Sequence, residues 1–74
     1  MTKNKLGEIL HRMYTEAERG EKVAMIHLFG IKYAQDIKAL TNGTELAKLS
    51  KIKATYATEI SKGMKLSKYV RAIL

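Results

Sequence analysis

Apolar residues recur along this chain at intervals of three and four. Leu6, Ile9, Leu10, Met13, Tyr14 and Ala17 form one series; Val23, Ile26, Phe29, Tyr33, Ile37 and Leu40 form another. Such spacing places each series on one side of a helix. The first predicts a helix over about 4–19, with Asn4 as N-cap and Gly20 as its stop. The second predicts a helix over 21–40. Met25, Leu28 and Ile31 add a second apolar face to its first half, which is therefore expected to be the most buried part of the chain. Gly30 costs about 1 kcal/mol inside a helix, so either a break or a close helix–helix crossing is expected there.

The second half is more finely divided. Thr41-Asn42-Gly43 predicts a turn through left-handed backbone. Thr44 is the expected N-cap of a short helix reaching Ser50, and Lys51-Ile52-Lys53 connects it to a helix over 54–62 that stops at Gly63. A final helix is predicted from Ser67 to Leu74, with Leu66, Tyr69, Val70, Ile73 and Leu74 on its apolar side. In this reading the five glycines divide the chain. A buried strand over 23–29 would have nothing to pair with. The expected fold is all-α: a compact bundle of five or six short helices in one domain, residues 1–74.

Composition narrows the function. A chain of 74 residues hides only about 60% of the surface its unfolded form exposes, so its core is thin. Cysteine is absent, which excludes disulfides, thiol catalysis and Cys-based zinc sites, and makes a reducing cytoplasm the expected compartment. The longest apolar run, Val23 to Ile31, is interrupted by His27 and Gly30 and falls far short of the roughly 18 residues that cross a membrane. The formal charge is +7 and it is uneven. Residues 1–43 carry seven basic and five acidic side chains, whereas residues 44–74 carry seven basic and two acidic. A local basic excess points to a polyanion, with nucleic acid first.

Two short helices joined by a tight connection within that basic half describe a helix-turn-helix. Ala47 is the small residue at which the helices cross, with Leu46 beside it facing the core. Ile52 returns an apolar side chain to the core from the turn. Ala57 and Ile60 form the inner face of the second helix. These positions resemble the helix-turn-helix of phage-repressor-like proteins, which carries glycine four residues after the small residue and apolar residues at five, ten and thirteen. Lys51, Ile52, Ala57 and Ile60 occupy those places here. Lys51 departs from the pattern, so a different turn geometry is expected, and Ser50 sits where an apolar residue is more usual. A broader resemblance, carried by Ile26-His27-Leu28-Phe29-Gly30-Ile31-Lys32-Tyr33-Ala34 and Tyr56-Ala57-Thr58-Glu59-Ile60, is to a small bacterial helix-turn-helix-like family.

The helix-turn-helix reading implies a DNA-binding module, a small transcriptional regulator, with helix 54–62 in the major groove of double-stranded DNA. The reading residues would be Lys53, Thr55, Tyr56, Thr58, Glu59 and Lys62, with Lys48, Lys51, Lys53, Lys62, Lys65 and Lys68 on phosphates. Plainer readings compete. Lysines usually cover a solvated face, Tyr56 suits a packed aromatic, and Glu59 suits an i,i+3 pair with Lys62. Leu66, Tyr69, Val70, Ile73 and Leu74 suit either a core cap or the seam of a homodimer.

Other classes find less support. A protein-interaction or oligomerisation module without a nucleic-acid role is the alternative. His11 and His27 lie on different segments without a carboxylate at ligand spacing, and read as boundary histidines. Glu16, Glu18 and Glu21 read as a solvated helix end. No phosphate loop, cofactor or metal motif, or small-molecule site is evident, and nothing indicates an enzyme. Five aromatics give no stacking platform for single-stranded RNA. A membrane partner is not expected, because the basic residues do not share one strongly amphipathic helix with a free apolar face.

Overall fold

A computed structural model describes residues 1–73, and all regular structure among them is helical. The elements are α1 (Lys3–Glu16), α2 (Lys22–Lys32), α3 (Ala34–Leu40), α4 (Gly43–Leu49) and α5 (Ala57–Leu66), the last preceded by a 3-10 turn over Ala54–Tyr56. Leu6, Leu10, Ile26, Phe29, Ile37, Leu46, Ala47 and Ile60 are fully buried and form one core. Each sits on the apolar face that the spacing predicted. In α2 the burial falls on Ile26, Phe29 and Gly30, while Val23 is exposed.

Helix ends differ from expectation for local reasons. Thr2, not Asn4, caps α1: its backbone is extended and its hydroxyl accepts from the Lys5 amide at 3.1 Å. The helix ends at Glu16, short of Arg19, because Ala17 turns extended. Lys22 then donates to the Tyr14 carbonyl at 2.8 Å, satisfying a C-terminal acceptor. Asn42, not Thr44, caps α4, with its side-chain oxygen accepting from the Glu45 amide at 2.9 Å. Thr41 and Asn42 are extended, so the left-handed turn expected at 41–43 is absent.

The glycines are the main correction. Among the glycines only Gly20 has a positive φ, +84°, and it serves a loop. Gly7, Gly30 and Gly63 lie inside helices that continue past them. A Cβ on Gly30 would stand 2.7 Å from the Ile60 carbonyl oxygen and 3.0 Å from the Gly63 Cα. One on Gly63 would run into the His27 carbonyl. The two glycines therefore let α2 and α5 touch backbone to backbone. The segment over 21–40 breaks instead at Tyr33 (φ −111°, ψ 20°), whose ring rests on Phe29 with centroids 5.0 Å apart. For the same reason α5 runs through Gly63 to Leu66 rather than stopping there.

The predicted terminal helix does not form. Residues 67–69 make a turn and 70–73 hold no regular structure, while Leu74 lies outside the described residues. Ser67 does not cap a new helix; its hydroxyl donates back to the Met64 carbonyl. So short a segment cannot offset the cost of helix nucleation without a surface to pack on. Here the core is already closed, and Leu66, Tyr69, Val70 and Ile73 are exposed.

Candidate nucleic-acid interface

The connection between α4 and α5 sets the geometry of the motif. Lys51, at the glycine position of the pattern, has φ +62°. Its amide donates to the Lys48 carbonyl at 3.1 Å, and the Ile52 amide donates to the Ala47 carbonyl at 3.1 Å. Those two bonds close a Schellman motif, which normally places glycine at the left-handed residue. A lysine thus adopts the glycine conformation, and the altered turn geometry expected from Lys51 does not occur. Ile52 packs against the core beside Ala47. Ser50 is buried, with its hydroxyl donating to the Ala47 carbonyl at 3.2 Å. Its own carbonyl accepts from His11 Nδ1 at 2.8 Å, tying the turn to α1.

Packing then divides α5 into two faces. Ile60 and Gly63 are buried inward. Thr58, Ser61, Lys62 and Lys65 are exposed on α5, and their three-and-four spacing puts them on the outward side; Thr55 is exposed in the 3-10 turn that precedes it. Ser61 was missed in the sequence, although its place three residues after Thr58 was the available signal. Lys48, Lys51 and Lys53 are exposed around the turn that precedes α5, and Lys68 is exposed in the turn that follows it. Because α5 runs through Gly63, Lys62 and Lys65 stay on one helix.

Two predicted readers sit elsewhere. Tyr56 is half-buried, its ring tilted against Tyr14 with centroids 5.5 Å apart. Glu59 is turned toward α2: its carboxylate accepts from His27 Nε2 at 2.7 Å and from Lys62 Nζ at 3.3 Å. The His27 hydrogen bond, aided by Lys62 and opposed by partial burial, holds the Glu59 carboxyl below the usual glutamate range. The Glu59–Lys62 pair matches the plain i,i+3 reading. The His27 partnership was not legible, because the two residues are distant in sequence.

The consequence is electrostatic. Glu45 and Glu59 are the only acids in residues 44–74. Glu45 is also engaged, accepting from Thr41 Oγ1 at 2.6 Å and Lys3 Nζ at 3.0 Å. These bonds, the Thr41 one foremost, lower its carboxyl from the usual range. Lys48, Lys51, Lys53, Lys65 and Lys68 make no ion pair among the described residues. The outward side of the motif is therefore a surface of hydroxyls and lysines with both nearby carboxylates occupied. Among the described residues no group of three or more His, Asp or Glu side chains could hold a metal.

Comparison with known proteins agrees with this geometry. No match was found among curated proteins or solved structures. A family of HTH-like domains, however, matches residues 2–73. With that match covering nearly the whole chain, and with a helical pair closed by a left-handed turn at Lys51, the protein belongs to the family of HTH-like domains.

Proposed function

We propose that the protein is a double-stranded DNA-binding module, a small transcriptional regulator that places the N-terminal part of α5 in the major groove. The observation that carries this reading is the outward side of α5. It is exposed, rich in lysine and hydroxyls, and free of an outward-turned acid, while its inner side is fixed to α2. Thr55, Thr58 and Ser61 face the base edges, where a hydroxyl donates or accepts and a threonine methyl meets thymine. Lys48, Lys51, Lys53, Lys62, Lys65 and Lys68 neutralise phosphates. Tyr56 and Glu59 hold the helix in place rather than read. The outward side has no Arg, Asn or Gln, the residues that make most bidentate base contacts. Phosphate contacts therefore supply most of the affinity. A cysteine-free DNA-binding chain of this kind suits a bacterial cytoplasm.

The test is duplex affinity against salt. Six neutralised phosphates give a log–log slope of about −5. In a Lys48→Ala, Lys53→Ala, Lys62→Ala triple variant the slope is expected to flatten by about 2.7, with weaker binding at low salt. Amide shifts confined to residues 44–68 on adding duplex, and reversed by salt, would place the contact on this face. Unchanged affinity and slope in the triple variant overturn the proposal.

A further inference from the structure

Past Gly63, the last buried residue among the described ones, the chain carries an amphipathic pattern whose apolar half neither the core nor the DNA face uses. Leu66, Tyr69, Val70 and Ile73 are 43%, 82%, 49% and 95% exposed. Lys62, Lys65, Lys68 and Arg71 are interleaved with them at three-residue intervals, and no acidic residue follows Glu59. The last backbone hydrogen bond among the described residues runs from the Val70 amide to the Leu66 carbonyl at 3.0 Å. Beyond Leu66 the helix thus loosens into a turn whose Lys68 and Tyr69 amides bond three residues back, and it lapses at Val70. Were it continued, the four apolar side chains would share an arc of about 100°, with Lys68 and Arg71 opposite and Lys65 at its edge. On the apolar side Leu66, Tyr69, Lys62, Lys65 and His27 line an open hollow of about 340 Å³.

Charge and shape decide what covers this face. DNA accounts for the lysines but leaves four apolar side chains in water. A second copy would set one +7 chain against another. A surface that is anionic outside and apolar beneath satisfies both halves of the pattern without shape complementarity. We infer that residues 66–73 dock on an anionic lipid surface, where they complete a short interfacial helix. Leu66, Tyr69, Val70 and Ile73 enter the headgroup boundary while Lys65, Lys68 and Arg71 meet lipid phosphates. No helix among the described residues is long and apolar enough to cross a membrane, so the contact is peripheral.

The experiment is co-sedimentation of the full chain with phosphatidylcholine vesicles, with and without a third phosphatidylglycerol. At least about tenfold stronger binding to the anionic vesicles is expected. A Tyr69→Trp variant supplies the chain's sole tryptophan, and its emission is expected to shift to the blue on anionic vesicles. A Val70→Ser, Ile73→Ser variant keeps every charge and is expected to lose about a hundredfold in vesicle affinity. It is expected to bind duplex DNA as the unaltered chain does, so the lipid and DNA readings fail separately. Absence of vesicle binding overturns the inference, as does equal binding by the double-serine variant. Self-association without lipid that the double-serine variant abolishes also overturns it, and assigns the face to a second copy.

Discussion

The two sides of α5 are built by opposite rules. Inward, Gly63 meets Gly30 so closely that a single methyl group at either position has no room. Outward, Thr58, Ser61, Lys62 and Lys65 stand in solvent. The inward side is marked by absence of volume and the outward side by exposed polar groups. The first fixes the helix on a backbone-to-backbone contact that cannot slide or rotate without a clash. That rigidity is what allows short hydroxyls on the other side to be presented at a defined place.

The comparison breaks most sharply at the glycines. Gly63→Ala drives a methyl group into the His27 carbonyl, which cannot move without shifting α2. A loss of about 3 kcal/mol is expected, from a total of about 4–11 kcal/mol for a chain of this length. Thr58→Ala, on the opposite side of the same helix, is expected to change stability by less than about 0.5 kcal/mol. Urea unfolding of the two variants measures the contrast, and equal losses would show that the crossing does not anchor α5.

The turn gives a smaller and opposite effect. Lys51 holds a left-handed conformation that costs a non-glycine residue about 1 kcal/mol or more. Lys51→Gly is therefore expected to raise stability by about 1 kcal/mol in the same urea experiment. If Lys51 meets a phosphate, the variant also flattens the salt slope of duplex binding by about 0.9. A more stable variant with weaker DNA binding would mean that the chain retains a strained lysine for its charge.

The smallest effect concerns the polar tie beside the crossing. Glu59 has a lowered pKa in the folded chain through His27 and Lys62. Its contribution is therefore complete above the ordinary glutamate value of about 4.3 and is lost as pH falls through the lower folded value. Glu59→Gln is expected to be less stable than the unaltered chain at neutral pH, with the gap closing in acid. A gap of constant size across that range would show that the hydrogen bond is not linked to the carboxyl's ionisation.

Much of this was legible residue by residue. All eight core side chains lie at predicted apolar positions, because helical periodicity is a local property that burial only ratifies. The helix-turn-helix was legible from Ala47, Ile52, Ala57 and Ile60. Of the candidate surface, the exposure of the lysines and of Thr55 and Thr58 could be read, whereas the half-burial of Glu59 and Tyr56 could not. Their half-burial depends on His27 and Tyr14, which come from other helices. The terminal segment misled for a related reason. Its spacing is as helical as any in the chain, but periodicity does not reveal whether a surface remains for the helix to cover.

What the sequence determined alone was the all-helical class, the core and the basic second half, since spacing and charge are counted along the chain. Tertiary structure decided what each glycine is for. Gly20 terminates nothing and relieves a loop, while Gly30 and Gly63 open a crossing that exists only when two helices meet. It also decided that Lys51 takes the place of a glycine, because the turn that returns Ile52 to the core passes through left-handed backbone at that residue. A residue's backbone freedom can be read from its type, but the neighbour that requires that freedom comes from another part of the chain.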